Sequence, residues 1–166
     1  MKKSMLATAM AVALTLSACG GAEITDHTDH ITVANAYVRA TDAMSEMGGV
    51  LMTGVFFEIT NNHDEDVVLV SGSAEFAEKV EVHEVVNGLM RLKAGGLNIA
   101  GGQKEILKPG GNHVMLIGLS EPLVAGDEVT FTLEFSDGHS VDVTAPVKIV
   151  NLEQEHYESG SPMASM

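Results

Sequence analysis

Tryptophan is absent from this 166-residue chain, and cysteine occurs once, at Cys19. A single thiol excludes a disulfide framework, a thiolate zinc site and a CxxC redox pair within one chain. Cations are scarce as well: 9 Lys and Arg stand against 23 Asp and Glu, a formal net charge of −14. That balance argues against nucleic acid as a partner, because phosphate binding needs clustered Lys and Arg. It also argues against docking by charge onto an anionic lipid surface. No HExxH, GxSxG or Gly-rich phosphate loop is present, and no nucleophile–base constellation is visible, so no enzyme is expected. No stretch carries a convincing helical period. In excess instead are 10 Met and 7 His, which matter chemically only where they converge. The length fits one domain with enough chain to close a core.

The first eighteen residues read as an address. Lys2 and Lys3 precede an apolar run from Met5 to Leu16, which is too short to span a bilayer. Leu16-Ser17-Ala18-Cys19, followed by Gly20, looks like a bacterial lipoprotein signal. Cleavage before Cys19 and acylation there would anchor the chain to a membrane through more than one lipid chain. The expected location is therefore the cell envelope, outside the cytoplasm. It also follows that any metal site must be built without thiolate. Residues 19–30 read as a flexible tether. His27 and His30 lie there among Asp26 and Asp29, in a solvated linker or, alternatively, a weak metal-capturing segment. Residues 151–166 lose all alternation and read as a flexible tail.

Between these ends, residues 31–150 read as beta throughout. Short runs rich in β-branched residues alternate with Gly, Asn and Asp punctuation. Nine such runs are visible: 31–39, 50–60, 66–70, 79–86, 89–93, 103–107, 113–119, 128–135 and 140–149. Eight or nine strands at regular spacing predict an all-β Greek-key sandwich or barrel. Asn87-Gly88 is the sharpest turn signal, since a two-residue hairpin of this kind needs positive φ at both positions.

Strand alternation sorts the Met and His residues by face. A two-residue turn at Asn87-Gly88 pairs Val85 with Met90 and His83 with Leu92. His83 and Met90 are then diagonal neighbours on one face, roughly 7 Å apart at Cβ. His113 and Met115, one residue apart, also share a face. Each pair has its commonplace reading: a strand Met is ordinarily core filler, and a lone strand His is ordinarily a hydrogen-bonded partner. Taken together they suit copper, because thioether sulfur prefers Cu(I) and imidazole accepts copper readily. A neutral Met and His set holds Cu(I) without the grip of thiolate, which fits carriage and release. Blue-copper electron transfer needs a Cys ligand and is excluded. Structural zinc rarely uses Met.

The segments KVEVHEVVNGLMRLK (residues 79–93) and KPGGNHVMLIGL (108–119), with AYVRAT (36–41) and TGVFFEITN (53–61), resemble the periplasmic copper chaperone family known as the PCuAC domain. The resemblance covers residues 31 to 149. It implies a cupredoxin-like fold and Cu(I) carriage outside the cytoplasm, in many members toward cytochrome oxidase assembly. It also implies His83, His113 and Met115 as metal ligands. Many members have Met-x-Met after the hairpin, the second Met being the ligand. Here Leu92 stands in that place, so Met90 is the hairpin's remaining candidate, with a Met of the 44–52 loop (Met44, Met47 or Met52) as substitute. Some members bind a second copper through a His- and Met-rich tail; His156, Met163 and Met166 make a sparse version here. His63 and His139 lie in turns and read as solvated. The expected function is that of a lipid-anchored Cu(I) metallochaperone, its partners copper, the membrane, and an acceptor such as cytochrome oxidase or another copper chaperone. The alternative is a non-metal, immunoglobulin-like interaction lipoprotein.

Overall fold

A computed structural model describes residues 30–41 and 46–150 of the chain. Cys19, most of the tether and the whole tail lie outside these residues, and so do His27, Met44, His156, Met163 and Met166. Within them the chain forms eleven strands and no helix. They are β1 (Ile31–Arg39), β2 (Glu46–Met47), β3 (Val50–Asn61), β4 (Val67–Ala74), β5 (Ala77–Val86), β6 (Leu89–Leu92), β7 (Leu97–Ile99), β8 (Lys104–Leu107), β9 (His113–Leu119), β10 (Glu128–Phe135) and β11 (Ser140–Lys148).

The strands run β5-β9-β3-β1-β11-β10-β4 around the molecule, and a β4–β5 pairing closes them into a seven-stranded barrel. Closure pairs each of these seven strands on both sides and leaves free edges only on the short outlying strands. β6 extends the ring beyond β5, β7 pairs with β4, and β2 and β8 pair with β3. β1 and β11 pair in parallel, while the other pairings are antiparallel. Register shifts in the β1–β3, β4–β10 and β4–β5 ladders bend the sheet round.

The period-2 pattern decides which side chains fill the barrel. On β11, Val141, Val143, Ala145 and Val147 point in while the residues between them are at least partly exposed. On β10, Phe131, Leu133 and Phe135 do the same. Phe57, Ile59, Leu69, Ile99, Leu107 and Leu116 complete the centre. Each such side chain contributes about 1.5–3 kcal/mol by leaving water.

Nine of the eleven strands coincide with the sequence-predicted runs. The other two, β2 and β7, have two and three residues, too short to show any period. The turn between β4 and β5 falls at Glu75-Phe76.

Candidate metal centre

The β5–β6 hairpin turns as the sequence dictates. Asn87 and Gly88 take φ of 53° and 77°. Val86 pairs with Leu89, Val85 with Met90, Glu84 with Arg91, and His83 with Leu92. On the hairpin's opposite face the Glu84 carboxylate accepts hydrogen bonds from Arg91 Nε at 2.9 Å and Lys93 Nζ at 2.8 Å. Those donors, Lys93 first and Arg91 next, hold the Glu84 carboxyl below the usual carboxylate range.

β5 also pairs with β9, and this long-range ladder builds the site. His83 stands directly opposite His113, and Glu81 opposite Met115. Cross-strand partners share a face, so His83, Glu81, His113 and Met115 all project from one surface of the sheet. Their neighbours Val82 and Val114 point the other way, into the core. Met115 and His113 are each 5% exposed yet stand outside that core. They are buried under a second, smaller layer on the barrel's outside.

Part of that cover comes from β3. Gly54 lies opposite Met115. A Cβ at Gly54 would fall 2.8 Å from Phe56 Cζ, so the absence of a side chain lets the Phe56 ring lie across the strand. Phe56 sits 6.1 Å from the His113 ring and 5.2 Å from Tyr37, centroid to centroid. Burial pushes the Tyr37 hydroxyl's pKa up. Lys148 Nζ lies 5.4 Å from the centre of the Tyr37 ring.

Hydrogen bonds fix which nitrogen of each imidazole carries the proton. His113 Nδ1 lies 2.9 Å from the Gly111 carbonyl oxygen. A carbonyl can only accept, so Nδ1 carries the proton and Nε2 of the neutral ring carries the lone pair. Nε2 lies 3.0 Å from Met90 Sδ. His83 Nε2 lies 3.0 Å from Glu81 Oε2, and the ionised carboxylate likewise only accepts. The His83 lone pair is therefore on Nδ1, which is buried and has no hydrogen-bond partner. A buried polar atom without a partner is costly in a protein that uses it for nothing. The two imidazole centroids are 6.0 Å apart. Metal–nitrogen bonds of about 2.0 Å put two rings on one ion roughly 5–6 Å apart.

The structure thus brings together His83, His113 and Met90, with Met115 two residues along from His113 on the same face. Met52, also on this face, stands opposite Ile117 and one diagonal step from Met115. Met47 lies on β2, paired with Val50. Sequence reasoning passed over Glu81, Gly54 and Phe56. Glu81 was findable, being two residues before His83 and so on its face; Phe56 needed the β3–β9 register. Among the described residues no three His, Cys, Asp or Glu side chains surround a common point. The face gathers imidazole and thioether, with the Glu81 carboxylate hydrogen-bonded to His83.

Comparison with known proteins gives the same outline. The LpqE-like family model, described as that of a lipoprotein, matches residues 31–147. A Leifsonia xyli subsp. xyli protein named as lipoprotein Lxx21020 is 34% identical over 134 residues, covering 78% of this chain and 76% of its own. Among solved structures, the copper-bound PCuAC domain from PmoF2 superposes with a TM-score of 0.60 at 19% identity, over 73% of this chain and 94% of that domain. The CuI-bound DR1885 of Deinococcus radiodurans does so at 0.58 and 27% identity, over 73% and 79%. The barrel is the cupredoxin-like fold of PCuAC domains.

Proposed function

The chain belongs to the LpqE-like lipoprotein family, and from that premise and the geometry of the β5–β9 face we propose that it is a Cu(I) metallochaperone. His83, His113, Met90 and Met115 are its ligands. The observation that carries this reading is the pair of imidazoles whose proton-bearing nitrogens are taken by Glu81 and the Gly111 carbonyl. The other nitrogen of His113 lies 3.0 Å from Met90 Sδ, and that of His83 is buried without a hydrogen-bond partner. The CuI-bound state of DR1885, a neighbour in fold at 27% identity, supports the choice of ion.

Copper here is cargo, and the site's mechanics follow from where each ligand sits. His113 and Met115 belong to β9, which is flanked on both sides by β5 and β3. They are buried and rigidly placed. Met90 belongs to β6, at the end of the strand order and, among the described residues, paired only with β5. Its hairpin is exposed at Leu89 and Leu92. Release begins on that side: an incoming acceptor thioether or imidazole displaces Met90 first and His83 next, and the β9 ligands leave last. With no anionic donor in the set, each exchange trades one neutral ligand for another.

Acylation at Cys19 would hold the domain at the outer side of a membrane. An acceptor there is the copper centre of a respiratory oxidase or another envelope metallochaperone. The net charge of −14 favours an acceptor with a basic docking face.

The test is Cu(I) binding under reducing conditions against a chromophoric chelator. The wild-type chain takes up about one equivalent, and a folded His83→Ala, His113→Ala, Met115→Ala variant takes up none. Unchanged uptake in that variant removes the site, and no uptake by the wild type leaves the non-metal interaction module. For the hairpin ligand, Met90→Leu weakens binding while Met52→Leu does not; the reverse result transfers the fourth position to Met52.

A further inference from the structure

A second group of histidines gathers at the far end of β3. His30 immediately precedes β1, His63 follows β3 by two residues, and His139 lies in the β10–β11 turn. Three segments far apart in the chain thus bring three imidazoles to one pole. The His30 and His63 rings are 3.8 Å apart, edge to face, and the His30 and His139 rings are 6.0 Å apart. From Phe56 to His63 is seven residues of chain, roughly 20 Å at strand rise. The two histidine groups therefore cannot share an ion.

The backbone beneath these rings is well fixed. The Asn62 amide donates to the His30 carbonyl at 2.7 Å, and the Gly102 amide to the His63 carbonyl at 2.8 Å. Asn61 is fully buried; its amide group donates to the Glu65 and Ile99 carbonyls, and its Oδ1 accepts from the His63 amide at 3.0 Å. Asp137 Oδ1 accepts from the His139 amide at 3.0 Å, closing the turn. Asp137 Oδ2 lies 2.9 Å from His139 Nδ1. That carboxylate holds the Nδ1 proton and leaves Nε2 as the ring's ligating atom, the outer-sphere arrangement common behind metal-bound histidine. Asp64, Glu65 and Asp66 follow His63 and are exposed, adding negative charge at the same pole.

We propose that His30, His63 and His139 form a second metal site, selective for divalent first-row ions such as Cu(II) and Zn(II). The donor set is all imidazole with carboxylates behind it, which suits borderline divalent ions, Cu(II) above the rest. No thioether is in the group to favour Cu(I). As they stand the rings do not surround a common point. His30 must swing off the edge of His63 for the three to converge. All three side chains are exposed, so movement between staggered rotamers is open to them. This site does not depend on the Cu(I) reading, and either can fail alone.

The experiment titrates the full-length chain with Cu(II) in oxidising buffer, read by electron paramagnetic resonance for nitrogen hyperfine structure, and with Zn(II), read by calorimetry. The expected result is a nitrogen-ligated Cu(II) signal that survives His83→Ala, His113→Ala. In a His30→Ala, His63→Ala, His139→Ala variant that signal disappears, and affinity for both ions falls at least tenfold. Asp137→Asn, which keeps the turn's Oδ1 acceptor, weakens both ions by roughly tenfold. The proposal is overturned if the triple variant binds as the wild type does. It is equally overturned if the signal follows His27→Ala, His156→Ala or disappears with His83→Ala, His113→Ala.

Discussion

The β5–β9 face and the turn pole between them hold all five described histidines, in opposite settings. On the face, His113 and Met115 are 5% exposed, roofed by Phe56 and backed by a carbonyl and one carboxylate. At the pole, His30, His63 and His139 stand in water among Asp and Glu. The face supplies neutral, polarisable donors on strands whose register cannot slip without turning core residues outward. The pole supplies exposed imidazole on turns positioned by backbone hydrogen bonds. One fold therefore offers a soft, buried grip and a harder, exposed one, and the difference lies in whether strands or turns carry the ligands.

Exchanging the two sites' defects breaks the comparison most sharply. Removing His113 and Met115 together lowers Cu(I) affinity by on the order of 100-fold or more, beyond the 10–100-fold typical of outer-sphere losses. It leaves Cu(II) binding at the pole unchanged. Chelator competition for Cu(I) and resonance for Cu(II), on the same preparation, read both. If one substitution moves both ions equally, a single site serves both and the division is wrong.

A smaller effect is expected at Glu81. It stands opposite Met115, and its carboxylate holds His83 Nε2 at 3.0 Å. Glu81→Gln keeps the shape but offers a weaker acceptor, and its amide can present a donor instead. His83 then loses its preferred tautomer, and Cu(I) affinity falls by about tenfold. The thermal midpoint moves little, because Glu81 is half-exposed. Unchanged affinity would mean that His83 is oriented by packing alone.

How much of this could be read from the sequence differs between the two regions. The hairpin register, from Val86–Leu89 out to His83–Leu92, follows from Asn87-Gly88 and was found as derived. That His113 and Met115 share a face follows from alternation alone. That His83 faces His113 does not, because the β5–β9 ladder joins strands thirty residues apart and no local pattern encodes it. Barrel closure through β4–β5 is hidden for the same reason. The pole was illegible altogether. His63 and His139 sit in turns, where periodicity gives no face, and each alone reads as a solvated surface residue. They are indeed exposed; what the sequence conceals is that the ends of β1, β3 and β10 meet.

The smallest effect belongs to the strand that joins the regions. Glu58 lies on β3 between Phe56 and His63, on the same outer face as Phe56. It accepts a hydrogen bond from Lys104 Nζ at 2.6 Å and one from Asn35 Nδ2 at 3.1 Å. The Lys104 and Asn35 hydrogen bonds, then the Lys104 charge, hold the Glu58 carboxyl below its usual range. A carboxyl lowered in the folded state stabilises the fold above the unfolded glutamate pKa, about 4.3, and that stabilisation is lost as the pH falls through the folded value. Wild type and Glu58→Gln should therefore differ slightly in thermal midpoint at neutral pH and converge in acid. The pair is exposed and screened by salt, so the neutral-pH difference is small. Neither ion's affinity should change, because the charge is lost from a solvated surface where screening acts over about 10 Å. Should Glu58→Gln shift Cu(I) or Cu(II) binding as far as Glu81→Gln shifts Cu(I), the broad field of an acidic surface would govern metal uptake, and the local geometry of the two histidine groups would not.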